Sequence, residues 1–260
     1  MNSLGIVASG HIETSRAAQA LLEAGGNAFD AALGAMCAAC VCEPMLASLG
    51  GGGFLLAQKK GQAARVFDFF VQAPSAAAAD MDFYPIQADF GTATQEFHIG
   101  MASIAVPGVV AGLFAVHSTQ CRLPLATIFE PAIALAREGV EVNALQRYIS
   151  EILRPIIEAR PPALALSSPV GGPKRLAKVG ERISNPALAD TLEALASHGP
   201  DWFYAGEPGQ QLVRDCRRGG GLITAADLVN YNVKVRHPVT VNSHGASIAC
   251  NSPPSPGGAL

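Results

Sequence analysis

The stretch NAFDAALGAMCAACVCE, residues 27–43, leaves this chain few ways to fold. Apart from Asp30, no side chain between Asn27 and Glu43 is charged, and nearly all are small or apolar, so the segment must be covered on most sides. Its alanines favour a helix. Asn27 is placed as the N-cap, and Asp30, three residues on, completes a capping box. A helix this poor in charge requires a layered protein around it. The alanines and Gly34 admit a close neighbour, and a sheet is the expected one.

That sheet begins directly afterwards. In SLGGGGFLLAQKKGQAARVFDFF, residues 48–70, the run Gly50, Gly51, Gly52 and Gly53 leads into a strand at 54–58. A turn at Lys59-Lys60-Gly61 and a second strand at 64–69 complete a hairpin pattern. Four glycines in a row signify either close approach by a ligand or another segment, or a plain flexible loop. The spacing is not that of a phosphate-binding loop, because no Gly-Lys-Ser/Thr follows.

The remaining pattern is mostly helical. Helices are expected at 15–26, capped by Ser15 or Thr14, and at 106–120. Another is expected at 123–139, bent or restarted at Pro131, and others at 144–159, 185–199, 209–221 and 224–231. Strands at 237–242 and 246–250 flank His244-Gly245. Residues 159–180 are rich in proline and glycine and read as an irregular surface excursion. The inventory predicts one α+β domain over 1–260.

Charge excludes some functions. Lys and Arg number 18 against 21 Asp and Glu, with no basic stripe, which argues against a nucleic-acid partner. The longest apolar stretch is interrupted by Glu43 and Pro44, which argues against a membrane span. The six cysteines include a CxxC at Cys37 and Cys40, but with no second pair and no nearby histidine they read as buried thiols, not as a metal or redox pair. No signal peptide is read at the N-terminus, and free thiols suit a reducing compartment, so the cytoplasm is favoured. There is no GxSxG, no HExxH and no His/Cys/Asp cluster at metal spacing; neither a cofactor nor a metal is expected.

Several stretches, in order, resemble the gamma-glutamyltransferase (glutathione hydrolase) family. They are EAGGNAFDAALGAMCAACVCEPMLASLGGGGFLL (23–56), VPGVVAGL (106–113), LPLATIFEPAIALAREGVEV (123–142), NPALADTLEALASHGPDWFYAGEPGQQLV (185–213), GGGLITAADLVNYNVKVRHPV (219–239) and PPSPGG (253–258). The resemblance implies an Ntn-hydrolase four-layer αββα sandwich, with strands from two subunits of one self-cleaving precursor. It also implies that the small subunit opens with a threonine whose own amine is the base, so no His or Asp triad is needed. This chain then corresponds to the large subunit, with no catalytic residue of its own and the threonine-bearing small subunit as its partner. In relatives the segment matching PPSPGG reads PPSSGG and runs on into a helix. Ala259-Leu260 are expected to open that helix, which makes the chain an incomplete large subunit.

The same resemblance supplies candidate substrate-pocket residues: Gly50, Gly51, Gly52, Gly53, Phe70, Ser255, Gly257 and Gly258. One of them departs from the family. Where relatives carry Asp-Phe-Arg-Glu, with the arginine gripping the alpha-carboxylate of a gamma-glutamyl group, this chain reads DFFVQAP over 68–74, with Phe70 at the arginine's position. Pro256 replaces the second serine of PPSSGG. The expected function is hydrolysis or acyl transfer on a small-molecule amide with altered acyl specificity. The alternatives are an authentic gamma-glutamyltransferase clamped by another residue, with Arg65 first in line, and a non-catalytic homologue.

Overall fold

A histidine, not a hydroxyl, caps the first helix. In the computed structural model, which describes residues 5–255, α1 spans Ile12–Glu23. His11 Nδ1 accepts the Glu13 N–H at 3.2 Å. The expected caps Ser15 and Thr14 lie inside the helix. Ser15 Oγ is 2.6 Å from Ser9 Oγ and Thr14 is turned inward, so neither reaches the free N–H groups. By contrast α2 (Ala28–Cys42) has the expected capping box.

The glycine run leads into β1 (Gly53–Ala57), which pairs antiparallel with β2 (Arg65–Phe69). A second hairpin follows, β3 (Tyr84–Asp89) and β4 (Thr94–Ile99). Sequence reading did not place it: Pro85 falls inside its first strand, and its inward face is short, with Ala88 buried and Ile86, Phe97 and Ile99 half-buried. Next come α3 (Val109–Gln120) and α4 (Leu125–Glu138), which runs through Pro131 without restarting. The predicted helix at 144–159 divides into α5 (Ala144–Ile152) and α6 (Arg154–Glu158), the latter with Pro155 in its first turn; before them lies β5 (Val140–Glu141).

The proline-rich excursion contains α7 (Pro161–Leu166) and is anchored on its return. Leu176 and Ala177 are buried, their carbonyls accept from Arg147 Nη1 at 3.3 and 3.0 Å, and β6 (Arg182–Ile183) pairs with β5. The chain closes with α8 (Pro186–His198), α9 (Pro200–Tyr204), α10 (Glu207–Arg218), α11 (Ala225–Val229), β7 (Lys234–Arg236) and the hairpin β8 (Val239–Ser243) and β9 (Ala246–Cys250). His244 (φ 50°) and Gly245 (φ 79°) form its tight two-residue turn. The mixed α+β architecture is as expected.

The neighbour of α2 is not. It packs among α1, α3 and α4, while α3 is the helix lying on β2. Glycines explain the exchange. A Cβ on Gly34 of α2 would stand 2.1 Å from Leu21 Cδ1 of α1 and 3.3 Å from the Ile128 carbonyl of α4. On α3, Gly112 leaves room for the Phe69 ring, whose Cγ would be 2.3 Å from an added Cβ. Each glycine admits one neighbour closely, and for α2 those neighbours are helices.

Cys37, Cys40 and Cys42 are buried in this helical core. Burial raises the Cys37 thiol well above its usual range and pushes Cys40 and Cys42 up to about 12. At pH 8 the native protein should therefore leave all three unlabelled by a thiol reagent, and denaturation should expose them. Peptide mapping after brief iodoacetamide treatment checks this; native labelling at any of the three contradicts it. Among the described residues, no helix is long and apolar enough to cross a membrane, and no group of three His, Cys, Asp or Glu is placed to hold a metal ion.

Candidate functional site

Strand register builds the site. In the sheet β1-β2-β7, β2 is central; Phe54 lies opposite Asp68, Leu56 opposite Val66, and Val66 opposite Arg236. Side chains alternate along a strand, so Phe67 and Phe69 share the face packed on α3. Val66, Asp68 and Phe70 share the other with Phe54, Leu56 and Arg236.

The glycine run touches the end of β2. Gly51 receives hydrogen bonds on its carbonyl from the Gly108 and Val109 N–H groups at 2.8 and 3.0 Å, which ties the run to the start of α3. A Cβ on Gly52 would sit 2.4 Å from the Val71 nitrogen and 2.8 Å from the Phe70 carbonyl carbon. One on Gly53 would be 2.9 Å from the Phe69 ring. At Gly50 the nearest atom is Ser48 Oγ at 3.8 Å, so only part of the run is sterically required. The close approach anticipated from sequence is made here by the chain's own backbone.

Phe70 is held firmly and its ring is displayed. Its N–H donates to Asp68 Oδ1 at 3.1 Å and its carbonyl accepts from the Tyr231 hydroxyl at 2.7 Å. Burial, with help from Tyr204 and Asp68, raises the Tyr231 phenol above its usual range, so it stays a donor. Asp68 Oδ2 accepts from Arg236 Nε at 2.8 Å. The Phe70 ring, 40% exposed as a residue, stacks on Phe54 with centroids 5.4 Å apart and planes 18° apart.

Phe54, but not Phe70, also borders a cavity of about 310 Å³, bounded by Met36 and Cys40 of α2, Leu46, Phe69, Val109 and the Gly51–Gly53 backbone. No charged side chain lines it.

The other expected residues are placed differently. Arg65 pairs opposite Ala57 at the far end of β2 and borders a hollow with Lys59 and Thr119. Five residues of extended strand separate it from Phe70, roughly 17 Å, so it is no substitute clamp. Ser255 is half-buried, with its N–H on the Ser252 carbonyl at 3.3 Å and no bond to the glycine run or Phe70. Gly257 and Gly258 lie outside the described residues, as does Pro256. Sequence reading missed Phe54, Asp68, Tyr231 and Arg236. Period-two alternation places Asp68 with Phe70, and a hairpin centred on the Lys59–Gly61 turn brings Phe54 across from Asp68; no local signal points to Tyr231 or Arg236.

Comparison with known proteins identifies the fold and the family. The gamma-glutamyltranspeptidase family profile matches residues 14–260. Glutathione hydrolase 3 of Arabidopsis thaliana is 35% identical over 97% of this chain and 38% of its own length. Acylase ACY 1 proenzyme of Pseudomonas sp. (strain V22) is 34% identical over 98% of this chain and 46% of its own length. The chain thus spans about two fifths of the length of these relatives. The crystal structure of Helicobacter pylori gamma-glutamyltranspeptidase superimposes with a TM-score of 0.85 at 30% identity, covering 99% of this chain and 72% of that one. This chain belongs to the gamma-glutamyltranspeptidase family.

Proposed function

We propose that this chain forms part of a two-chain amide hydrolase or acyltransferase whose acyl site no longer selects a gamma-glutamyl group. The nucleophile is the N-terminal threonine of a second chain released from the same precursor, and the substrate is a small-molecule amide. Family membership and the proenzyme relatives support the reaction type. The exposed apolar side chains of Leu56, Val239, Val241 and Ile248 support a covering partner. The observation that carries the specificity is Phe70, whose backbone is held by Asp68 and Tyr231 and whose ring stacks on Phe54, at the position where the resemblance implies a guanidinium. A guanidinium makes paired bonds to a carboxylate, and a phenyl ring makes none. Losing that partner costs about 2–5 kcal/mol, or roughly 30-fold to several thousand-fold in affinity.

One observation favours the competing reading, authentic gamma-glutamyl transfer. Arg236 shares the Phe70 face and uses Nε on Asp68, which leaves its terminal nitrogens without partners among the described residues.

The test is the full precursor, with cleavage and a new N-terminal threonine confirmed by mass. Gamma-glutamyl-p-nitroanilide should give a kcat/KM at least about 30-fold below that of an acyl anilide lacking the alpha-amino acid head, and Phe70→Arg should narrow the gap. A strong gamma-glutamyl preference that Arg236→Gln abolishes supports the competing reading. A second chain lacking a nucleophilic first residue makes the protein a non-catalytic homologue.

A further inference from the structure

We propose that Phe54 and Phe70 form a platform for an aryl ring, so that the acyl group taken by this site is an arylacetyl or aroyl group. The inference rests on the reading above that Phe70 lies at the acyl site, and it deepens that reading by naming the acyl class.

The strand pairing creates the platform. Extending the β1–β2 register places Gly52 across from Phe70, and Gly52 has no side chain to cover it. Phe54, the diagonal neighbour on the same face, leans over the gap and stacks on Phe70. The stacked pair is anchored from below. Asp68 holds the Phe70 N–H and Tyr231 its carbonyl. The preceding carbonyl, of Phe69, is wedged against Gly108, where an added Cβ would stand 2.0 Å away.

A core phenylalanine is fixed because it is enclosed. Phe70 is held through its backbone and by its stack on Phe54, and the residue remains 40% exposed. An exposed aromatic already immobilised loses little conformational freedom when it binds, which is the property of good anchor residues. Near-parallel rings prefer a further ring in offset or edge contact, an aromatic preference of about 3- to 10-fold beyond simple burial. Phe54 also borders a cavity of about 310 Å³ without a charged lining, which has the volume for a ring and a methylene.

A purely structural stack, covering Gly52 and nothing more, makes a different prediction, and a matched substrate pair separates the two. Phenylacetyl- and cyclohexylacetyl-p-nitroanilide share carbon count and leaving group and differ in whether the acyl ring is aromatic and flat or saturated and puckered. In the processed full-length protein, phenylacetyl should be favoured about 3- to 10-fold in kcat/KM, chiefly through KM. Phe54→Leu and Phe70→Leu should each lower the phenylacetyl value more than the cyclohexylacetyl value, bringing the ratio of the two to about 1. Equal use of both substrates by wild type, or variants that slow both alike, overturns the platform while amide hydrolysis stands. If wild type cleaves no amide, the enzymatic reading fails on its own, and ligand NMR decides the platform. Phenylacetamide binding over cyclohexylacetamide, lost in Phe70→Leu, upholds it; no such preference overturns it.

Discussion

Asp30→Ala is expected to destabilise this protein by about 3–5 kcal/mol. Asp30 is 0% exposed. Oδ2 accepts the Asn27 N–H at 2.7 Å and closes the capping box of α2. Oδ1 accepts the N–H groups of Arg122 and Leu123, both at 3.0 Å, in the connection between α3 and α4. Alanine leaves three partly buried donors without acceptors at a junction of three helices. Asn at this position retains one acceptor oxygen and should fall between wild type and alanine. Urea denaturation followed by circular dichroism measures both; an alanine loss below about 1 kcal/mol rejects the account.

The same carboxylate sets a pH dependence. Burial acts to raise its pKa, but the N–H groups of Asn27, Leu123 and Arg122 outweigh burial and hold it below the ordinary value. A folded-state pKa below the unfolded one means the unfolded chain takes up the proton first. The contribution is therefore complete above about pH 4 and is lost as pH falls through the lowered value. The stability gap between wild type and Asp30→Asn should shrink in that acid range alone.

Gly108→Ala should cost about 3 kcal/mol, for a reason of space alone. Gly108 has φ −117°, which any residue adopts, so no backbone strain is involved. Its new Cβ would stand 2.0 Å from the Phe69 carbonyl oxygen and 2.3 Å from the Tyr231 hydroxyl. Neither can retreat easily. Phe69 is paired with Gly53 in β1, and the hydroxyl is bonded to the Phe70 carbonyl. Relief must come from moving the end of β2, so the Phe54–Phe70 stack should loosen together with stability. Gly50→Ala is the matched control, with nothing nearer than 3.8 Å, and should stay within about 0.5 kcal/mol. Thermal melts of both variants check this; similar losses would mean that the glycine run, not the packing at Gly108, governs stability.

Much of this architecture was legible residue by residue. The capping box at Asn27–Asp30 and the tight hairpin at His244-Gly245 fall where the pattern placed them. The Phe70 departure also stood in the sequence. These features depend on groups within about four residues of one another, so chain order alone determines them. The partners of α2, the second task of Asp30 at residues 122–123, the grip of Asp68 on Arg236 and the stacking of Phe54 on Phe70 were decided only in three dimensions. The four glycines show the division most plainly. They are identical in sequence, yet Gly52 has a returning backbone 2.4 Å from where its Cβ would be, while Gly50 has open space. A contact between segments distant in the chain depends on how closely they are folded back together, and no local pattern carries that distance.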